Sequence, residues 1–274
     1  MIHFVGAGSG APDLITVRGQ RLLSEADVVI WAGSLVNPQL LEACKPSCAI
    51  HDSARMTLEQ VIEVMAAADA EGKEVVRLHT GDPSIYGAHR EQMDELDRLG
   101  ISYDVCPGVS SFCGAAAALR AEFTLPGVSQ SVILTRLEGR TPKPAGEATR
   151  DLAAHGATMV VFLSASMLDK LQAELLAGGA YTPDTPAAIV YKATWPDERV
   201  LRCTVGTLAQ TGADNGICLT ALVVVGGVLA GPHDRSKLYD PAFTTLFRKA
   251  SHAAPARGEA PGDACVADDA DNDN

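Results

Sequence analysis

The chain has 274 residues, with 34 acidic and 22 basic side chains and a net charge of −12. That excess of acid excludes a protein that coats nucleic acid or an anionic membrane surface, where affinity comes from neutralising phosphate. Hydrophobic residues make up 47% and charged residues 20%, so a substantial core can be buried and wholesale disorder is excluded.

The apolar run Ile2–Val5 enters Gly6-Ala7-Gly8-Ser9-Gly10, which reads as a strand followed by a glycine loop. Thr16 is placed to cap a helix reaching about Glu25, with Leu22 and Leu23 on its buried side. Val28–Trp31 is a second buried strand. Thr57 can cap a helix over Leu58–Ala70, where Leu58, Val61, Ile62 and Met65 recur at helical spacing. Val75–Leu78 is a third strand. After Gly81-Asp82-Pro83 a helix is expected to about Leu99, stopped by Gly100. Ile101–Val105 reads as a strand, Pro107-Gly108 as a turn and Ser110–Leu119 as an alanine-rich helix.

Leu125-Pro126-Gly127 reads as a linker. Beyond it, strands are expected at Ser131–Arg136, Met159–Leu163, Ala188–Ala193, Val200–Val205 and Thr220–Val225, with helices at Glu147–His155 and Ser166–Ala177. This alternation predicts an α/β fold with largely parallel sheets. The adjacent late strands imply some antiparallel pairing in the second sheet. Domains are expected at 1–122 and 129–248. Residues 249–274, rich in Ala, Pro, Gly and Asp without periodicity, read as a disordered acidic tail.

Seven cysteines, odd in number and without a CxxC pair, read as reduced thiols, and no metal site is expected. No signal peptide is visible and no run approaches ~18 apolar residues, so a cytoplasmic location is expected. Gly6–Ala11 fits G-x-G-x-x-G/A, which alone suits a nicotinamide-dependent oxidoreductase or a plain tight turn. Pro12-Asp13 lengthens that loop, and Val28–Trp31 ends without an acid for a ribose; both count against a dinucleotide. Thr80–Gly87 and Pro107–Ser111 are two more glycine-containing loops, each between a strand and a helix. Three such loops at one sheet edge mark the place where α/β proteins bind ligands.

GAGSGAPDLIT, HTGDPSIYG, PGVSSF and LPGVSQSVILTR resemble the tetrapyrrole methylases, a class of S-adenosylmethionine-dependent methyltransferases. AGSLV, HDSARMTLEQ, LPGVSQ and SKLYDPAFTTLFR are similar, within that family, to its precorrin-4 C11-methyltransferase branch in cobalamin biosynthesis. The likeness covers residues 1–248. Ser9 stands where other members commonly carry proline, and Ala11 where they carry aspartate.

The resemblance implies two α/β domains with the methyl donor in the cleft between them, a homodimer, and a polycarboxylate tetrapyrrole substrate, metal-free or carrying cobalt. It implies donor contacts from Pro12 in the first loop, from Gly81, Asp82, Ile85 and Tyr86 in the second, and from Ser110 and Ser111 in the third. From the second half it implies Met167, then Tyr191, Lys192 and Ala193, and Thr220, Ala221 and Leu222. Substrate carboxylates call for arginines, and Arg55, Arg120, Arg136 and Arg140 are the candidates. Thr135–Glu147 reads either as a flap over the substrate or as a plain surface loop. Transfer from an activated sulfonium chiefly needs positioning, and no base is identified. Another C-methyltransferase of the family and a non-catalytic tetrapyrrole-binding protein are the alternatives.

Overall fold

The apolar strands of the first half form one parallel sheet. In the computed structural model, which describes residues 1–251, these are β1 (Ile2–Gly6), β2 (Val28–Trp31), β3 (Ala49–Asp52), β4 (Val75–His79) and β5 (Tyr103–Cys106), in the order β3-β2-β4-β1-β5. Helix α1 (Val17–Glu25) starts where Thr16 Oγ1 accepts the Gly19 N–H at 3.0 Å. Helix α2 (Leu58–Ala70) starts on a capping box between Thr57 and Gln60. Such caps satisfy amides that the first helical turn leaves without partners. One face of the sheet buries Val5, Leu23, Val29, Val76 and Leu78. The other buries Phe4, Ile30, Met65, Val75 and Leu96.

Two local expectations need correction. Helix α3 spans Arg90–Leu99, several residues later than the sequence pattern suggests. Tyr86 (φ 55°) and Ala88 (φ 47°) adopt left-handed backbone, which no right-handed helix can pass through. Strand β3 is not apparent in the sequence, because its residues are exposed or half-buried at the sheet edge and carry no apolar run.

The second sheet is mixed. It contains β6 (Val132–Arg136), β7 (Thr158–Phe162), β8 (Pro186–Tyr191), β9 (Arg199–Thr204) and β10 (Ala221–Val225), ordered β6-β7-β10-β8-β9. Only β6 and β7 pair in parallel; the antiparallel pairs β7–β10, β10–β8 and β8–β9 make the rest. The antiparallel character therefore extends further than the expected late hairpin. Helix α4 (Ser111–Leu119), from the first half, packs Ala115 and Leu119 against Val160, Val190 and Val224 on one face. Helices α5 (Thr149–Ala153), α6 (Leu168–Ala177) and α7 (Leu208–Asp214) pack on the other. The sequence pattern indicates no helix at α7, and α5 is shorter than expected.

Both sheets lie within one compact unit, Met1–His233, and a second unit begins at Asp234. Its described part is held locally by Arg235 Nη2 donating to Tyr239 O at 2.6 Å and Arg248 Nη2 donating to Asp240 O at 2.7 Å. The acidic tail expected from residue 249 lies, from 252 onward, outside the described residues. Among the described residues no helix is long and apolar enough to cross a membrane.

Strand order β4-β1-β5 places the three glycine loops side by side, and their backbones nearly touch. A Cβ on Gly6 would stand 2.5 Å from Gly108 Cα and 2.6 Å from Gly81 O. A Cβ on Gly108 would collide with the Gly81 carbonyl oxygen and lie 2.7 Å from Gly6 Cα. Backbone cannot retreat as a side-chain end can, so Gly108→Ala should lower stability by at least about 3 kcal/mol. Gly72 has φ +69° with nothing among the described residues within 4 Å of where a Cβ would sit, so Gly72→Ala should cost only about 1–2 kcal/mol for the left-handed backbone. Urea unfolding of the two variants checks the contrast; similar losses would mean the loops are not closely apposed.

Candidate active site

The site is built on that contact. Asp82, after β4, accepts the Gly108 N–H on Oδ2 at 2.8 Å, and its Oδ1 accepts the Ser84 N–H at 2.9 Å and the Ser84 hydroxyl. Burial raises the carboxyl pKa, but the Ser84 and Gly108 hydrogen bonds outweigh it and hold it below the ordinary value. Asp82 thus stays ionised and ties the second loop to the third. The first loop is tied to the second sheet: Ser9 Oγ lies 3.1 Å from Thr194 Oγ1, which also accepts the Ala11 N–H at 3.0 Å. Ser9, one of the two residues that depart from the family pattern, therefore has a partner of its own. Trp195 packs over Gly10, leaving no room for a Cβ there.

Between the loops and the second sheet lies a cavity of about 490 Å³, of a size usual for a small-molecule site. Phe162, Leu163, Val190 and Leu222 give it apolar walls; Ser9, Thr80, Ser110, Ser111 and Thr220 give it hydroxyls. The Tyr86 and Phe162 rings meet across it, with centroids 5.4 Å apart. Four lining residues, Tyr86, Leu163, Lys192 and Thr220, hold positive φ without being glycine. Such backbone costs about 1–3 kcal/mol per residue and gathers at functional sites. Leu163 and Leu219 also leave large apolar surfaces uncovered, at 59% and 69% exposure.

Of the expected donor contacts, Gly81, Ile85, Tyr86, Ser110, Ser111, Lys192, Ala193, Thr220, Ala221 and Leu222 line this one cavity. Pro12, Asp82, Met167 and Tyr191 stand outside its lining. Pro12 opens a short turn, Pro12–Leu14. Met167 and Tyr191 pack against the face of the second sheet covered by α5, α6 and α7, and Met167 Cε lies 3.3 Å from where a Cβ on Gly139 would sit. None of the four expected arginines lines the cavity. Arg55 is exposed in the turn after β3. Arg120 ends α4, about 13 Å along the helix from Ser111. Arg136 donates to the carbonyls of Leu137, Thr141 and Pro142 at 3.3, 3.1 and 2.8 Å and so pins the segment that follows β6; Arg140 is exposed within it.

Among the lining residues outside the expected set are two buried, ionisable ones. Arg77 and His79 lie on β4, 7% and 3% exposed. Burial lowers the Arg77 pKa to about 10. Burial, then the charges of Arg77 and His89, lower that of His79 to about 3, against a weaker raising effect of the Gly87 carbonyl. The signal is present in the sequence: Arg77 and His79 are polar residues alternating within a run otherwise fit for a buried strand.

Two sheets meeting over one cavity at a glycine-loop edge define an α/β protein with a candidate small-molecule site between its two sheets. The family model Tetrapyrrole (Corrin/Porphyrin) Methylases matches residues 1–209, and the chain belongs to that family. It is 53% identical over 249 residues to the cobalt-precorrin-4 C(11)-methyltransferase of Methanocaldococcus jannaschii, covering 90% of this chain and 96% of that one. It is 50% identical over 229 residues to the precorrin-4 C(11)-methyltransferase of Mycobacterium tuberculosis, covering 83% and 91%. A solved cobalt precorrin-4 methyltransferase, described as a cobalamin biosynthetic enzyme, superposes with a TM-score of 0.82 at 46% identity, covering 84% of this chain and 96% of that one. A uroporphyrin-III C-methyltransferase of Thermus thermophilus, solved with S-adenosylhomocysteine, superposes with a TM-score of 0.69 at 27% identity, covering 83% and 92%.

His79 yields a pH prediction. The unfolded chain binds its proton near the ordinary value of 6.5 and the fold only near 3. Stability from this residue is therefore intact above pH 6.5 and declines as pH falls from there towards 3. Between pH 7 and pH 5 the loss is about 2 kcal/mol. Urea unfolding at both pH values should show His79→Gln losing about 2 kcal/mol less than wild type; equal losses would show that the imidazole is not held neutral.

Proposed function

We propose that the chain transfers a methyl group from S-adenosylmethionine to C11 of precorrin-4, or of its cobalt-containing counterpart, in cobalamin biosynthesis. The observation that carries this reading is the single cavity into which ten of the residues expected to contact the donor converge. The residues present suit a nucleoside bearing a charged sulfur: apolar walls for the base, hydroxyls and glycine backbone for the polar groups. Sequence likeness, over nearly their whole length, to relatives that bear these names supports the substrate.

The donor supplies an already activated methyl group, so the chain's part is positioning and exclusion of water. In this reading Gly81, Ile85, Tyr86, Ser110 and Ser111 hold it from the first sheet, and Lys192, Ala193, Thr220, Ala221 and Leu222 from the second. Asp82 acts as a positioning residue through Gly108. Tyr86 and Phe162 close the cavity to water. Arg55 and Arg140 serve outer carboxylates of the substrate. The division into domains at 1–122 and 129–248, a cytoplasmic location and a homodimer belong to the same reading. Light scattering should give twice the chain mass of 28.6 kDa.

Incubation with isotopically labelled donor and precorrin-4, with and without cobalt, followed by NMR, should place the new methyl on C11. Methylation elsewhere overturns the assignment. Calorimetry should show binding of S-adenosylhomocysteine and none of NAD. Asp82→Ala removes the bond to Gly108 N and should weaken S-adenosylhomocysteine about tenfold, a loss of about 1.4 kcal/mol, while the protein stays folded by circular dichroism. Unchanged affinity would remove Asp82 from the positioning role.

A further inference from the structure

The cavity has two charged lining residues, Arg77 and Lys192, and no lining carboxylate among the described residues. These are unusual surroundings for a chain of net charge −12. Lys192 has a counter-ion, Asp197, at 2.7 Å. Arg77 has none among the described residues. Its Nε donates to Gln92 Oε1 at 3.0 Å, and its Nη1 donates to Ile30 O at 3.3 Å and Leu78 O at 3.4 Å. Nη2 makes no hydrogen bond among the described residues. Neutral acceptors orient a guanidinium without cancelling its charge, and a buried charge without a counter-ion is costly.

The surroundings hold Arg77 in place. Gln92 donates to Ala88 O at 2.9 Å, which turns its carbonyl oxygen towards the guanidinium. Two residues on, and on the same face of β4, His79 leaves Nε2 buried without a partner among the described residues. Burial and the neighbouring charge keep that ring neutral, so the pair presents one positive charge to the cavity.

We propose that Arg77, backed by His79, is a carboxylate receptor at the base of the cavity and a specificity-determining residue of the site. The proposal rests on the methyl-transfer reading, in which both ligands carry carboxylates. A guanidinium is the side chain best matched to a carboxylate, and burial strengthens the pairing. The carboxylate comes from a side arm of the tetrapyrrole or from the amino-acid end of the donor.

Calorimetry on wild type, Arg77→Met and Arg77→Lys separates these sources. The probes are S-adenosylhomocysteine, 5′-methylthioadenosine, which lacks the amino-acid end, and uroporphyrin III as a stable polycarboxylate tetrapyrrole. Arg77→Met should weaken one carboxylate ligand by at least about tenfold, leave methylthioadenosine unchanged, and be partly rescued by Arg77→Lys. Loss confined to S-adenosylhomocysteine assigns the donor's carboxylate; loss confined to uroporphyrin assigns the tetrapyrrole's. Affinities for both within about twofold of wild type overturn the proposal. If wild type binds neither, the methyl-transfer reading falls instead. Should Arg77→Met not fold, arginine side-chain nitrogen NMR of wild type, assigned with Arg77→Lys, gives the answer: the Arg77 signal should move with a carboxylate ligand, and no movement with either overturns the proposal.

Discussion

Everything in this molecule that points to chemistry hangs on the approach of three glycines, Gly6, Gly81 and Gly108, at the ends of three neighbouring strands. Strand order brings the loops after β1, β4 and β5 to one edge, but adjacency alone would leave them a side chain's width apart. The missing Cβ atoms let the backbones meet, with Gly8 and Gly81 exchanging hydrogen bonds at 3.2 and 3.0 Å. Asp82 then reaches the Gly108 amide and fixes the relative height of two loops. Ser110 and Ser111, which follow directly, are carried into the cavity as a consequence. The second sheet joins through α4, whose N-terminus is at this edge and whose body packs into the other half's core.

The distribution of charge matters more than its sum. A chain of net charge −12 suggests a surface hostile to anions. The cavity is the exception, since its charged lining residues are both cations. In a low-dielectric recess the local charge governs which ligand enters, because distant surface acids are screened by solvent and salt. The acidic surface and a cavity suited to an anion are therefore compatible, and the first keeps the protein from gathering unwanted polyanions such as nucleic acid.

Where local chemistry decides structure, the sequence is legible. Thr16 and Thr57 cap the helices expected of them, because capping needs only a hydroxyl at the right offset. The buried strands are visible as apolar runs, and the ligand-binding edge as three glycine loops. Features set by tertiary contact are not legible. The run after Pro83 is a good helix by composition, yet left-handed Tyr86 and Ala88 break it. Arg136 looks like a free cation in a loop; three carbonyls of that loop claim it. Arg77 and His79 are hidden when β4 is read as merely hydrophobic, although a guanidinium inside a strand buried along its whole length needs a reason.

That reason connects the strain at the cavity with its charge. Tyr86, Leu163, Lys192 and Thr220 hold disfavoured backbone around the rim, and Arg77 holds a charge without a counter-ion among the described residues. Each is a local loss that a folded chain tolerates only when neighbouring structure over-determines it. Here the glycine contact, the Ser9–Thr194 link and the two packed faces of the second sheet supply that support. A ligand bringing a carboxylate and apolar surface would remove the charge penalty and cover Leu163 and Leu219 without requiring the rim to relax. If the cavity binds as proposed, the free protein is arranged in advance for an occupant, and its binding energy need not be diverted into building the site.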